Sequence, residues 1–243
     1  MRDIFIACRA ILAYVVVLGY IAVVGPFGLA MAIALDWKGG MYALGHGGVS
    51  LALRLAGIRY RVLGREHVRS TAVMFCSNHE SNVDPPVLFE ALHPRLHVLY
   101  KAELHKFPIM GSVFDVGGFV PIDRGDREKS MASIARGVES LRAGNSFLVF
   151  PEGTRSRTGQ LQRFKKGAFI MAIDAQVPVV PVAVQGGRAS MRKGSAIVRP
   201  VRVTVRIGEP IPTAGLTLDD RDALISRVRT EVERLLAEGS AWR

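Results

Sequence analysis

From Ala10 to Leu35 the chain carries no charged residue, and this run constrains the fold more than any other feature. It exceeds the ~20 apolar residues that cross a bilayer as a helix. The run is also longer than the apolar region of a secretory signal, about 7–15 residues, and no cleavage pattern follows it. Gly25-Pro26 interrupts it. Proline removes a backbone donor and crowds the preceding turn, so a kink or an end is expected there. Asp36-Trp37-Lys38-Gly39-Gly40 reads as a turn at headgroup level, where tryptophan is favoured, and a milder helix is expected from Met41 to Ala56. Two geometries fit: one kinked spanning helix, or a helix pair dipped into one leaflet. Arg9 inside the first part and the mild second part favour the pair. Arg54, Arg59, Arg61 and Arg65 follow closely, which puts the remainder on the cytoplasmic side.

The excess of 32 Lys+Arg over 21 Asp+Glu gives a net charge of +11. A basic chain with an apolar N-terminal segment suits anionic lipid better than nucleic acid. No zinc-finger, RRM-like or helix-turn-helix pattern supports a nucleic-acid partner. Cys8 and Cys76 are the only cysteines, so there is no disulfide framework and a reducing compartment is expected. A chain of this length buries one sizeable core. The expected division is a membrane-binding helical segment over 1–57 and an α/β domain over 58–243.

Within that domain short apolar runs alternate with helical spacing. Strands are expected at 58–63, 72–76, 96–100, 118–122, 146–150 and 179–184, with a longer strand or strand pair over 197–207. Helices are expected at 127–143, ending at Gly144-Asn145, and at 166–175 and 218–237. The alternation predicts a mixed, partly parallel sheet flanked by helices.

Asn78-His79-Glu80-Ser81-Asn82-Val83-Asp84 directly follows the second of these strands. Positions five apart diverge by about 140° on a helix, so His79 and Asp84 meet only across an irregular turn. Pro85-Pro86 supports such a turn followed by a helix to about Leu92. Two readings stand. In one, Asp84 is a helix N-cap and His79 an ordinary loop histidine. In the other, Asp84 holds one ring nitrogen of His79 and leaves the second as a base for a hydroxyl.

Asn78-His79 with Asp84 resembles the first motif of the glycerolipid acyltransferase family, which includes the bacterial 1-acyl-sn-glycerol-3-phosphate acyltransferases. Further blocks occur in the family's order. Tyr100-Lys101-Ala102-Glu103-Leu104 is similar to the lysine block, and Gly118-Phe119-Val120-Pro121-Ile122-Asp123-Arg124 to the second motif. Phe150-Pro151-Glu152-Gly153-Thr154-Arg155-Ser156 resembles the third, and Val177-Pro178-Val179-Val180-Pro181-Val182 the fourth. Together these cover about Val73 to Gly186. Pro121 departs from the commoner aromatic or aliphatic residue and is expected to tilt its strand.

The resemblance implies direct acyl transfer from a thioester, acyl-CoA or acyl carrier protein, to the sn-2 hydroxyl of 1-acyl-sn-glycerol 3-phosphate. His79 would be the base and Asp84 its partner. Arg124, Arg155 and Lys101 would hold the acceptor phosphate. Gly153 and Thr154 would approach the acceptor, while Glu152 would bind a glycerol hydroxyl or orient Arg155. The same resemblance puts the enzyme at a bacterial inner membrane and implies no cofactor beyond the donor. Other acceptors, a lyso-ornithine lipid or glycerol 3-phosphate, stay open. Outside the class stand a non-enzymatic anionic-membrane binder and a hydrolase, the latter without a G-x-S-x-G elbow. Cys76 reads as a small core residue. His93, His97 and His105 lack metal-ligand spacing, so no metal is assigned. The basic stretch Arg188, Arg192, Lys193, Arg199, Arg202 and Arg206 is expected to attract an anionic donor.

Overall fold

A computed structural model of the chain describes residues 2–68, 71–92, 95–123, 125–191 and 196–242. Among these residues seven strands form one sheet: β1 (Arg59–Leu63), β2 (Met74–Ser77), β3 (Leu96–Lys101), β4 (Val120–Ile122), β5 (Ser146–Val149), β6 (Val179–Gln185) and β7 (Arg202–Ile207). Their order is β1-β7-β6-β2-β5-β3-β4. Every pairing is parallel except β6 with β7. Parallel strands are covered on both faces and read as continuous apolar runs, and β2 and β5 are buried along their length. Alternate residues feed two cores. Phe75, Leu148, Val180, Val182 and Val184 enter one, while Met74, Cys76, Phe147, Val149 and Val179 enter the other. The first core is closed by α1 (Arg2–Ala34), α2 (Lys38–Ala56) and α3 (Asp84–Ala91). The second is closed by α5 (Arg127–Arg142), α6 (Gly167–Ala175) and α7 (Arg221–Ala237).

Three local expectations need correction. Pro26 lies inside α1, which continues through it. The residue before a proline is crowded through its Cβ, and here that residue is Gly25. Contacts on both sides hold the helical path: Tyr20 donates to the Leu44 carbonyl at 2.8 Å, and Gly28 packs on Leu44. The expected strand over 197–207 shrinks to 202–207, because Pro200 has no donor for a ladder. A helix α4 (Pro108–Val116) stands where none was expected, since its polar face is only Ser112 and Asp115 and Gly111 sits at its centre. Pro121 is tolerated because β4 is an edge strand, paired only with β3.

The parallel set β6, β2, β5, β3 and β4 ends on one edge of the sheet. There the chain leaves β2 for His79, β5 for Glu152, β3 beyond Lys101 and β6 for Gly186-Gly187. Open α/β sheets bind ligands at this carboxyl edge.

Candidate active site

Between β2 and α3 the chain turns back on itself around one carboxylate. Asp84 is fully buried, and its Oδ2 accepts from His79 Nδ1 at 2.9 Å and from the backbone N–H groups of Glu80 and Ser81, each at 2.6 Å. The N-cap reading fails, since no side chain caps α3. Asp84 organises the loop before the helix instead. An ionised carboxylate only accepts hydrogen bonds, so Nδ1 bears a proton, and in the neutral ring Nε2 is the nitrogen with the lone pair. Nε2 makes no hydrogen bond among the described residues. The ring stacks on Phe150, with centroids 4.2 Å apart, so it is held both in its plane and at its edge.

The loop is clasped from three sides. Asn78 donates to the Val184 carbonyl at 2.9 Å and accepts from the Val184 N–H at 2.8 Å, which ties it to β6. Ser81 Oγ donates to the Met191 carbonyl at 2.8 Å. Glu152 braces the third side: Oε1 accepts from His79 N–H at 2.8 Å, and Oε2 from Gln162 N–H at 3.0 Å and Gln162 Nε2 at 3.1 Å. Neither role expected for Glu152, hydroxyl binder or Arg155 orienter, accounts for this. Both oxygens join loops, and Ser156 N–H closes the same junction onto the His79 carbonyl at 2.8 Å. Adjacency of β2 and β5 in the sheet brings the two motifs together.

The remaining expected residues surround this pair unevenly. Arg155 is half-buried, and its Nη1 is buried without a hydrogen-bond partner among the described residues. Gly153 adopts φ +71°, which a side chain disfavours, and Lys165 lies directly over it. Thr154 is exposed beside it. Lys101 ends β3 and pairs with Glu103 at 2.9 Å in solvent. It lies two strands from β2, about 10 Å across the sheet. Arg124, His93, Arg192 and Lys193 lie outside the described residues. The expected basic stretch disperses: Arg188 holds the carbonyls of Arg157 and Thr158, Arg202 lies over Trp242, and Arg206 pairs with Glu238. Burial pushes the Cys76 thiol well above its ordinary range, which suits a core residue and not a nucleophile.

Two features of the site escaped sequence reading. Gly187, just after β6, has no side chain because Asp84 fills the space: a Cβ there would lie 2.4 Å from Asp84 Oδ1. Gly187→Ala is expected to push the carboxylate off the ring and lower kcat by roughly 10²-fold, the cost of an ångström-scale misplacement, with KM for the acceptor little changed. Steady-state kinetics check this split, and an unchanged kcat would show that Asp84 tolerates the intrusion.

Glu80 is the other. Burial first, then the charge of Asp84, raises its carboxyl to about 7; Arg188 opposes this and Glu152 adds to it. The folded state therefore keeps a proton that the unfolded chain, near 4.3, gives up. Stability is expected to fall as pH rises through that interval. Glu80→Gln removes the penalty, so at pH 8 it is expected to be more stable than wild type by about 1–2 kcal/mol after allowance for partial exposure. At pH 4, below both values, the gap should nearly close. Thermal unfolding at both pH values tests this, and an equal gain at both would point to packing instead of charge.

Residues 59–185 match the acyltransferase family profile. The 1-acyl-sn-glycerol-3-phosphate acyltransferase of Limnanthes douglasii is 32% identical over 209 residues, spanning 83% of this chain and 73% of that protein. The human 1-acyl-sn-glycerol-3-phosphate acyltransferase alpha is 36% identical over 179 residues, 72% of this chain and 62% of that protein. Among solved structures, the 1-acyl-sn-glycerophosphate acyltransferase PlsC from Thermotoga maritima superposes with a TM-score of 0.84 at 26% identity. That match covers 98% of this chain and 97% of the other.

Proposed function

The chain belongs to the acyltransferase family, and we propose that it transfers a fatty acyl group from a thioester to the sn-2 hydroxyl of 1-acyl-sn-glycerol 3-phosphate, giving phosphatidic acid. The observation that carries this reading is the buried Asp84 holding His79 through Nδ1 at 2.9 Å, with Nε2 left for a substrate. The acceptor oxygen attacks the thioester carbonyl as Nε2 takes its proton. Collapse of the tetrahedral intermediate breaks the C–S bond and expels a thiolate, to which the imidazolium returns the proton. Asp84 stabilises the imidazolium in between. Acyl-CoA or acyl carrier protein serves as co-substrate, and the reading calls on no metal or further cofactor.

Arg155, Lys101 and Arg124 are assigned to the acceptor phosphate. The unpartnered buried Nη1 of Arg155 supports its share. Arg155→Ala is expected to raise KM for lysophosphatidate by roughly 10–100-fold, the worth of a charge-assisted hydrogen bond, while hardly affecting a neutral monoacylglycerol. Transfer assays with lysophosphatidate, a lyso-ornithine lipid and glycerol 3-phosphate test the acceptor itself, each with acyl-CoA and acyl carrier protein. Product from another acceptor alone would overturn the substrate and keep the chemistry.

On this reading the protein sits on the cytoplasmic face of a bacterial inner membrane. An 18-residue stretch of Ile4–Ala34 has a mean hydropathy of 2.3 with 11% of its residues buried, which supports lipid contact. Residues along α1 touch the rest of the protein. Arg9 donates to Leu55, Tyr14 to Ala196, and Gly25 abuts Ile109. A helix so tied along its length favours lying in one leaflet over crossing it. Exposed Arg54, Arg59, Arg61 and Arg65 support the cytoplasmic side.

A further inference from the structure

Outside α1 and α2, exposed large apolar side chains gather in one short segment directly after β3. Leu104 is 40%, Phe107 58% and Ile109 37% exposed, in the single turn 102–106, at the residue joining it to α4, and at the start of α4. Lys106 and Lys101 flank them, both exposed, the latter paired with Glu103 at 2.9 Å. The turn is held in place. Tyr100 and His105 are hydrogen-bonded at 2.9 Å, and Gly111 packs so closely under the His105 carbonyl that a Cβ would lie 2.5 Å from it. Ile109 in turn lies against α1 at Gly25, so the patch continues the lipid-facing surface of that helix.

We infer that residues 104–109 form a second contact with the bilayer, with Leu104 and Phe107 at the acyl boundary and Lys101 and Lys106 at the level of anionic headgroups. This rests on the reading of α1 as a helix lying in one leaflet. An aromatic residue and aliphatic neighbours beside lysines are the composition that partitions into an interface. The contact fixes the tilt of the domain about α1, which a single helix leaves free to roll. It also brings the end of β3, and hence the site edge, to the depth of lipid phosphates.

The test uses the full chain with Cys8→Ser, leaving buried Cys76, in vesicles of phosphatidylcholine and phosphatidylglycerol. A nitroxide is attached through Phe107→Cys, through Val23→Cys on α1, or through Ser226→Cys on α7. Collisions with oxygen report lipid, and collisions with a water-soluble nickel chelate report solvent. The expected result is lipid-like exposure at 107 and 23 and aqueous exposure at 226. An aqueous label at 107 with a buried one at 23 overturns the second contact and keeps the reading of α1. Aqueous labels at both positions overturn the two together. Phe107→Asp supplies the functional arm: transfer to vesicle-borne lysophosphatidate is expected to fall roughly tenfold at limiting lipid, with transfer to a short-chain soluble acceptor maintained. An equal fall on both substrates would assign Phe107 to the fold and overturn the inference.

Discussion

Replacing His79 by alanine is expected to lower kcat by roughly 10²–10⁴-fold, the usual worth of a positioned general base, with little change in KM for either substrate. The structure explains why this loss should be chemical. Without the ring, Asp84 still accepts from Glu80 and Ser81, Asn78 still clasps Val184, and Glu152 still receives the backbone N–H of residue 79. The stacking on Phe150 is lost, a change of about 0.5–1.5 kcal/mol, together with one of the three hydrogen bonds to Asp84, about 1.5–3 kcal/mol for a charged acceptor. Circular dichroism and thermal unfolding should therefore report a folded variant. His79→Asn refines the comparison, because it can keep a hydrogen bond to Asp84 but has no basic nitrogen. It should be as inactive as alanine. Full turnover in either variant would mean that the acceptor loses its proton elsewhere.

The parts of this site that were legible in the sequence share one property: their residues are close along the chain. His79 and Asp84 lie in one loop, and Pro85-Pro86 announced the turn that lets them meet. Strands β2, β5 and β6 were legible because sheets buried on both faces leave continuous apolar runs. What the sequence hid depends on partners far apart in the chain. Glu152 read as a ligand because a carboxylate beside an arginine offers no sign that its oxygens will close on the His79 and Gln162 backbones. Gly187 gave no signal because its constraint is the space filled by Asp84. Pro26 misled for the opposite reason: its local rule is sound, but Gly25 removes the Cβ part of the crowding, and packing along α2 and α4 holds the helix across the missing donor. The run over 197–207 was alternating enough to read as a strand, yet Pro200 decided its start.

Asp84 is expected to give the second large effect, and its two substitutions should separate charge from shape. The carboxylate serves three donors through Oδ2, while Oδ1 is buried without a partner among the described residues. A neutral acceptor would satisfy Glu80 N–H and Ser81 N–H at lower cost, so a charge kept half-unpaired argues for a charged product in the cycle, the His79 imidazolium. Asp84→Asn keeps the volume and one oxygen but removes the charge and can turn the ring to the wrong tautomer. It is expected to lower kcat by about 10³–10⁴-fold, as loss of the orienting carboxylate does in catalytic triads, while retaining most of the stability. Asp84→Ala leaves the His79 ring and two backbone N–H groups without an acceptor, each worth about 1–3 kcal/mol when buried. It should lose the activity and also about 3–5 kcal/mol of stability, near 10 °C in Tm for a chain of this size. The pair is read by kinetics and unfolding on the same preparations. An asparagine variant with near-normal kcat would reduce Asp84 to a loop organiser, whereas inactive and stable asparagine beside inactive and unstable alanine would assign both tasks to the one carboxylate.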